Sequence, residues 1–136
     1  MTFSAPAVPE AVGILRRRAS RLFAVWMPDP GERDSAALVV SELLTNAVVH
    51  GGSTMELTLG FRDRILAITV TDRGLPEKVA VLRGEGPDEC GRGLDIVAAL
   101  AGDVHSEQQP EGWCVRVRMM PASACSDSGR PLLNAA

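Results

Sequence analysis

Hydrophobic residues in the first part of the chain recur at the three- and four-residue spacing of a helix. They predict a first helix from about Pro9 to Trp26, with Pro9 in its first turn and Pro28 beyond its end. Residues 1–8 are rich in proline and alanine and are expected to form a lead outside the domain. The positions that set the helical period are Val12, Leu15, Ala19, Leu22 and Val25–Trp26.

A second helix is predicted after the turn sequence MPDPGERD. Either Asp29 or Asp34 can serve as its N-cap, because a short carboxylate accepts the first unpaired backbone N–H groups of a helix. The helix is expected to continue to about His50 and to end at Gly51–Gly52.

The period then changes from helical to alternating, which is typical of strands with one buried face. Met55, Leu57 and Leu59 alternate with polar residues, and Leu66, Ile68 and Val70 do so after a turn at Arg62–Asp63. This pattern predicts a β-hairpin. A third helix is expected over about 92–101, followed by two strands over about 103–108 and 112–119.

The order of these elements predicts an α+β fold. It favours a two-layer α/β sandwich in which helices cover one face of a mainly antiparallel, mixed sheet. A doubly wound Rossmann unit is less consistent, since the strands come in hairpins and do not alternate with helices. One domain is expected over residues 9–120, with a lid-like loop at about 75–90 and a flexible tail at 121–136.

Composition excludes several classes of protein. The chain has 136 residues, enough for one domain, and its net charge of −3 offers no basic field to a nucleic-acid backbone. No apolar run reaches the length of a membrane span. The three cysteines form no metal-binding spacing, so a reduced, cytoplasmic setting is the simplest expectation.

The stretch SELLTNAVVHGG, residues 41–52, carries unexpected polar groups on an apolar helix. Glu42 and Asn46 lie one helical turn apart on the same edge, whereas Val40, Leu44, Ala47 and Val48 are expected to face the core. Considered alone, the pair can be a solvated edge with a weak side-chain contact.

Two further motifs follow in order along the chain. Asp72 and Gly74 stand where a strand leaves the sheet, in the sequence VTDRG, and Gly91–Arg92–Gly93 opens a predicted helix after the long loop. Each motif is weak by itself, because an aspartate in a turn can satisfy its own backbone and a glycine pair can be a hinge. Their order after the Glu–Asn helix is the more specific signal.

This order resembles the GHKL superfamily of ATPases, also called histidine-kinase-like ATPases with the Bergerat fold. The resemblance covers residues 8–119, and SELLTNAVVHG is its most specific stretch. Within the superfamily the chain is similar to the small bacterial anti-sigma factor serine kinases of the RsbW type.

The resemblance implies ATP and Mg²⁺ as cofactors and assigns roles to the helix residues. It makes Glu42 the catalytic group that orients or deprotonates the nucleophile, and Asn46 the Mg²⁺ ligand beside the phosphates. Both residue types suit these tasks, since Mg²⁺ prefers hard oxygen ligands and phosphoryl transfer depends on positioning.

The resemblance also implies a nucleotide-binding set. Asp72 would accept a hydrogen bond from the adenine amino group, and Gly74 would let the backbone approach the base. The segment Gly91, Arg92, Gly93 and Leu94 would lie at the phosphates, helped by the helix dipole. Arg92 can equally point to solvent.

Two departures from the family pattern bear on activity. Pro76 stands where the first glycine motif usually has a second glycine. Where many relatives have Gly-Thr before the last strand, this chain has Gly112-Trp113-Cys114, and a thiol is a poor replacement for the hydroxyl that completes a water network to the adenine-binding aspartate.

The leading hypothesis is an anti-sigma factor of the serine/threonine kinase type. It would transfer the γ-phosphate of ATP to a serine of an anti-anti-sigma antagonist, sequester a sigma factor, or both. The alternatives are a nucleotide-binding interaction module with little or no catalysis, and a small α+β scaffold with a fortuitous motif. A homodimer is left open.

Overall fold

The computed structural model describes residues 1–49, 53–73, 96–110 and 112–120. In chain order its elements are β1 (Thr2–Pro6), α1 (Pro9–Trp26), α2 (Pro30–Val49), β2 (Thr54–Arg62), β3 (Ile65–Arg73), β4 (Asp103–Gln109) and β5 (Gly112–Met119). Residues 96–100 are also helical. Both predicted long helices and all four predicted strands are therefore present.

The strands form one five-stranded sheet in the order β1-β2-β3-β5-β4, and neighbouring strands are antiparallel throughout. Helices α1 and α2 pack on each other and on one face of this sheet. The predicted two-layer α+β sandwich is confirmed. The mixed sheet is not seen among the described strands, where every pairing is antiparallel.

The core lies between the helices and the sheet. Helix α1 contributes every fourth residue to it, and α2 lies across β2, β3 and β5. From the strands come alternate residues of β2 and β3, as the hairpin pattern predicted. The fully buried larger side chains are Phe23, Met27, Leu43, Leu44, Met55, Leu57, Leu59, Leu66, Ile68, Val39, Val40 and Val97.

Helix α1 has the predicted bounds but a slightly different buried face. Its buried residues are Ala11, Leu15, Ala19 and Phe23, at a strict spacing of four. Val25, expected on the apolar face, is 79% exposed. The reason is geometric: a helix that crosses β1 and β2 while packing on α2 buries one narrow stripe, and Val25 lies beyond it.

One of the two predicted N-cap residues, Asp29, precedes the first residue of helix α2. The Asp29 carboxylate accepts a hydrogen bond from the Glu32 N–H at 3.0 Å, and the Asp29 carbonyl accepts the first helical bond from Arg33 N–H at 3.1 Å. Pro30 occupies the first helical position, where its missing N–H costs nothing. Asp29, not Asp34, is therefore the N-cap.

The hairpin turn lies one residue later than predicted. Arg62 pairs with Ile65, so the turn consists of Asp63 and Arg64, with φ of 54° and 63°. Two consecutive positive φ values match the twist of a tight two-residue hairpin. The sequence did not identify this position because it lacks the usual Asn-Gly or Asp-Gly signal.

Strand β1 is an addition to the predicted elements. Residues 1–8 were expected to be a lead, but Thr2–Pro6 pairs antiparallel with β2 at the sheet edge. Phe3 and Ala5 are the inward-facing residues, opposite Leu57 and Met55. One large apolar residue gives no recognisable alternation, so this strand depends on pairing with β2 more than on its own sequence.

Several predictions fall outside the described residues. They concern the helix end at Gly51–Gly52, the lid at 75–90, the start of the third helix before residue 96, and the tail at 121–136. Of the third helix, residues 96–100 are described, and Val97 is fully buried in the core. Within the described parts of the chain, no helix combines the length and apolarity needed to cross a membrane.

Asp29→Ala is expected to lower the free energy of unfolding by about 1 kcal/mol, because it removes the acceptor for the Glu32 N–H. Asp34→Ala is the matched control: Asp34 is exposed within the same helix and should change stability by less than about 0.5 kcal/mol. Urea denaturation of both variants measures the difference. Equal effects would show that the cap contributes nothing.

Candidate functional site

A single charged side chain is buried among the described residues, and it belongs to Asp72. Asp72 is the second-to-last residue of β3, which ends at Arg73, and it is 4% exposed. Its side chain follows the inward alternation of Leu66, Ile68 and Val70, so a carboxylate occupies a position that the pattern reserves for an apolar residue. Burying such a group is costly unless donors surround it, which makes Asp72 the leading candidate for ligand recognition.

The start of β5 approaches Asp72 unusually closely. The backbone N–H of Trp113 donates to Asp72 Oδ1 at 3.4 Å. Gly112 has φ of +155°, and a Cβ added there would overlap the Asp72 carbonyl oxygen and lie 2.9 Å from Oδ1. Only glycine allows this approach, so residue 112 is fixed by the geometry around the carboxylate.

The strand register places Asp72 in a row of side chains on the core face of the sheet. Met55 on β2 and Trp113 on β5 are its direct neighbours. Met55 is 1% exposed, whereas Trp113 is half-buried. The carboxylate thus lies between two large side chains, and Val70 and Val115 form the next row of the same face.

Cys114 does not take part in this site. It pairs with Thr71 and Glu107, and alternation directs it to the sheet face opposite Asp72, although the thiol is buried. The prediction that its thiol stands in place of a hydroxyl linked to Asp72 through water is therefore wrong. Trp113 is the residue that stands directly opposite Asp72.

Glu42 and Asn46 lie together along one edge of α2 and are both half-buried. They were predicted to lie opposite the core-facing side of the helix. Val39 and Leu43 are fully buried as well, so the core face is broader than predicted and extends to this edge. The cause is that α2 packs on three strands and on α1 at once. Within the described parts of the chain, neither polar side chain has a hydrogen bond or ion pair.

Connectivity brings the end of α2 to the end of the sheet that holds Asp72. Four residues separate Val49 from the start of β2 at Thr54, a span of at most about 18 Å. Thr54 pairs with Arg73, and the N–H of Ser53 donates to the Arg73 carbonyl at 2.7 Å. Asn46 is one turn before the helix end, so it lies toward the same end of the domain as Asp72.

The other predicted site residues lie outside the described residues. They are Gly74, Gly91, Arg92, Gly93 and Leu94. The part of the chain that the structure describes therefore contains the predicted base-recognition carboxylate and the predicted helix pair. It does not test the predicted phosphate-binding glycines.

The side-chain oxygen atoms of Asp72 and Asn46 fit an adenine nucleotide with Mg²⁺. An ionised carboxylate accepts hydrogen bonds and donates none, so Asp72 suits an amino group and rejects a carbonyl. An amide oxygen at Asn46 is a hard ligand of the kind that Mg²⁺ accepts while keeping water and phosphate oxygens. In the described ranges no group of three or more His, Cys, Asp or Glu side chains could hold a metal by itself.

Sequence reasoning did not recognise three contributors to the site. It gave Met55 only a place in the alternating strand pattern, and it named Gly112 and Trp113 only as parts of a variant motif. Strand register makes them neighbours of Asp72. A signal was present for Gly112, because a glycine that opens a strand often marks close backbone approach.

Comparison with known proteins gives a family match over most of the chain. A family model described as the histidine kinase-like ATPase domain matches residues 5–119. The fold is similar to that in the crystal structure of the RsbU and RsbW domains of Rv1364c from Mycobacterium tuberculosis, with a TM-score of 0.63 and 19% sequence identity. The match covers 88% of this chain and 32% of that chain, and at this identity it shows the fold alone. No match was found among curated proteins.

Gly112→Ala is expected to lower the free energy of unfolding by about 2 kcal/mol or more, since the new methyl group must displace Asp72 or β5. Gly60→Ala is the matched control, because a Cβ at this β2 position meets nothing within 4 Å. Thermal or urea denaturation compares the two. Equal, small effects would contradict the close approach of Gly112 to Asp72.

Proposed function

The chain belongs to the histidine kinase-like ATPase domain family, and from this premise we propose that it is an ATP-binding regulatory protein of the anti-sigma factor serine/threonine kinase type. Membership of the family implies ATP binding. Transfer of the γ-phosphate to a serine of an anti-anti-sigma antagonist, and sequestration of a sigma factor, are the finer parts of the proposal.

The observation that carries the proposal is the buried carboxylate of Asp72. A carboxylate at the end of a strand, next to the half-buried indole of Trp113, presents hydrogen-bond acceptors beside an apolar surface. Adenine has the matching form, with flat apolar faces and an amino group on its edge. Guanine carries a carbonyl at the corresponding position, so Asp72 selects for adenine.

The edge of α2 supplies the groups that phosphoryl transfer requires. ATP would provide the phosphoryl group, and a bound Mg²⁺ ion would neutralise part of its charge. The carbonyl oxygen of Asn46 would hold that metal ion. The carboxylate of Glu42, one turn away along the helix, orients the acceptor hydroxyl and takes its proton.

A binding module without kinase activity is the second candidate, and one observation favours it. Trp113 stands opposite Asp72, where many relatives have a hydroxyl that completes a water network. An indole changes how the base is held without supplying any group for transfer. Such a protein would act on its partner through nucleotide-dependent binding alone.

Incubation with γ-labelled ATP and a candidate antagonist protein separates the two candidates. Label on a serine of the antagonist supports the kinase. Binding of ATP without transfer to any antagonist tested favours the binding module. Proteins that co-purify with the chain from its native cell supply the candidate antagonists. A sigma factor is the other partner expected among them.

Asp72→Asn is expected to weaken ATP and ADP binding at least about 10-fold, because the amide replaces one acceptor by a donor that faces the adenine amino group. The substitution conserves shape, so the fold should be retained. Asp103→Asn is the control, since Asp103 is exposed on β4. Isothermal calorimetry with millimolar nucleotide measures the effect. Wild-type protein that gives no heat under these conditions would refute nucleotide binding.

Substitutions on α2 are expected to separate binding from chemistry. Glu42→Gln should leave ATP affinity nearly unchanged and slow phosphoryl transfer by about 100-fold, the usual effect of losing a positioned base. Asn46→Ala should weaken Mg-ATP binding more than binding of metal-free ATP, because it removes a metal ligand.

Thr45→Ala is the matched control for both variants, since Thr45 lies between them in sequence but is exposed. Calorimetry with and without Mg²⁺ and a single-turnover transfer assay give the two readouts. A Glu42→Gln protein that transfers phosphate at the wild-type rate would show that Glu42 is not the base.

A further inference from the structure

Trp113 combines an exposed part with a fixed position beside the buried carboxylate. It is paired with Asp72 across β3 and β5, points to the same sheet face, and remains half-buried. The next residue outward in this row, Gln108 on β4, is exposed. The row therefore passes from buried Met55 through Asp72 to an indole at the boundary with solvent.

We propose that Trp113 is a base-contacting residue, whose indole packs against the adenine that Asp72 recognises. The inference rests on the proposed nucleotide-binding function and adds to it a determinant of affinity. It assigns the aromatic contact to a residue that the family pattern would fill with a small hydroxyl side chain.

Asp72 alone can orient the base through a hydrogen bond but offers it little contact area. A planar base gains affinity from an aromatic side chain in contact with its ring, and such contacts are worth about 5- to 150-fold in binding when the ring is truncated to alanine. Met55 is already fully enclosed by the core, so it offers little free surface. Trp113 is the large side chain next to Asp72 that keeps part of its surface accessible.

The backbone geometry makes this contribution separable from that of Asp72. The link from residue 113 to the carboxylate comes from its backbone N–H, which is 3.4 Å from Asp72 Oδ1. Any side chain except proline retains that donor. Substitutions at 113 therefore change the ring without removing this hydrogen bond to the carboxylate.

The chain provides its own reporter for the contact. It contains two tryptophans, and the other, Trp26, is stacked on Phe61 with ring centroids 5.8 Å apart. Phe61 lies near the hairpin turn, at the opposite end of β2 from Met55 and therefore from Asp72. In a Trp26→Phe protein, tryptophan fluorescence reports on Trp113 alone, and phenylalanine can retain the stacking on Phe61.

The first experiment titrates the Trp26→Phe protein with ATP, ADP, adenosine and GTP while recording tryptophan emission, with calorimetry of the same protein in parallel. We expect emission to change with the three adenine ligands and to saturate at the concentrations found by calorimetry. GTP should give a much smaller change. Unchanged emission at ATP concentrations that saturate the calorimetric signal overturns the inference and leaves nucleotide binding intact.

The second experiment compares Trp113→Ala and Trp113→Phe by calorimetry, with circular dichroism to verify folding. The alanine variant should bind ATP, ADP and adenosine about 10-fold more weakly, by the same factor for each, because the lost contact is to the base. The phenylalanine variant should stay within about 3-fold of wild type. Wild-type affinity in Trp113→Ala, or a loss confined to ATP, overturns the base contact.

Absence of any heat or emission change with all ligands refutes the proposed function itself, and the base contact with it. The fluorescence titration needs no substitution at 113, so the proposal stays testable even if the alanine variant fails to fold.

Discussion

A carboxylate held inside an apolar sheet is the constraint around which this domain is arranged. Burial of Asp72 is tolerable only where donors reach it, and one donor is the backbone of β5, a strand 41 residues further along the chain. Close passage of β5 in turn requires glycine at 112, because a side chain there would overlap the Asp72 backbone. The buried carboxylate of Asp72 therefore costs local stability and adds nothing to the packing of the core. This is the pattern expected of a functional site.

Helix α2 both packs on the sheet and carries two polar side chains at the margin of its buried face. Its buried residues fill the space above three strands, so the core face is broad and leaves only a narrow edge for polar groups. Glu42 and Asn46 occupy the margin of that face and are half-buried as a result. This position holds their backbone through core packing while the side chains stay partly accessible, as the roles proposed for them require.

The pattern of apolar residues predicted the helices and the central hairpin because each of these elements buries one face and therefore shows its own period. It missed β1, which has one large apolar side chain and is held by its partner strand. It singled out Glu42, Asn46 and Asp72 through local motifs, and the roles assigned to them stay predictions. It did not find Trp113 as a neighbour of Asp72, and it gave Cys114 the wrong face, because register between strands distant in sequence sets both and no local pattern records it.

The proposed recognition of the base and the proposed phosphoryl transfer depend on different parts of this domain. Asp72, the proposed base-binding group, is fixed by pairing of β3 with β5, whereas Glu42 and Asn46, the groups proposed for transfer, are fixed by the packing of α2 over the sheet. The two parts are joined covalently by the four residues between α2 and β2. A change at one part, such as an indole in place of a hydroxyl beside Asp72, can therefore alter how nucleotide is held without moving Glu42. The kinase and binding-module proposals therefore share the proposed base-binding position at Asp72. They differ in whether Glu42 and Asn46 on α2 act on a bound partner.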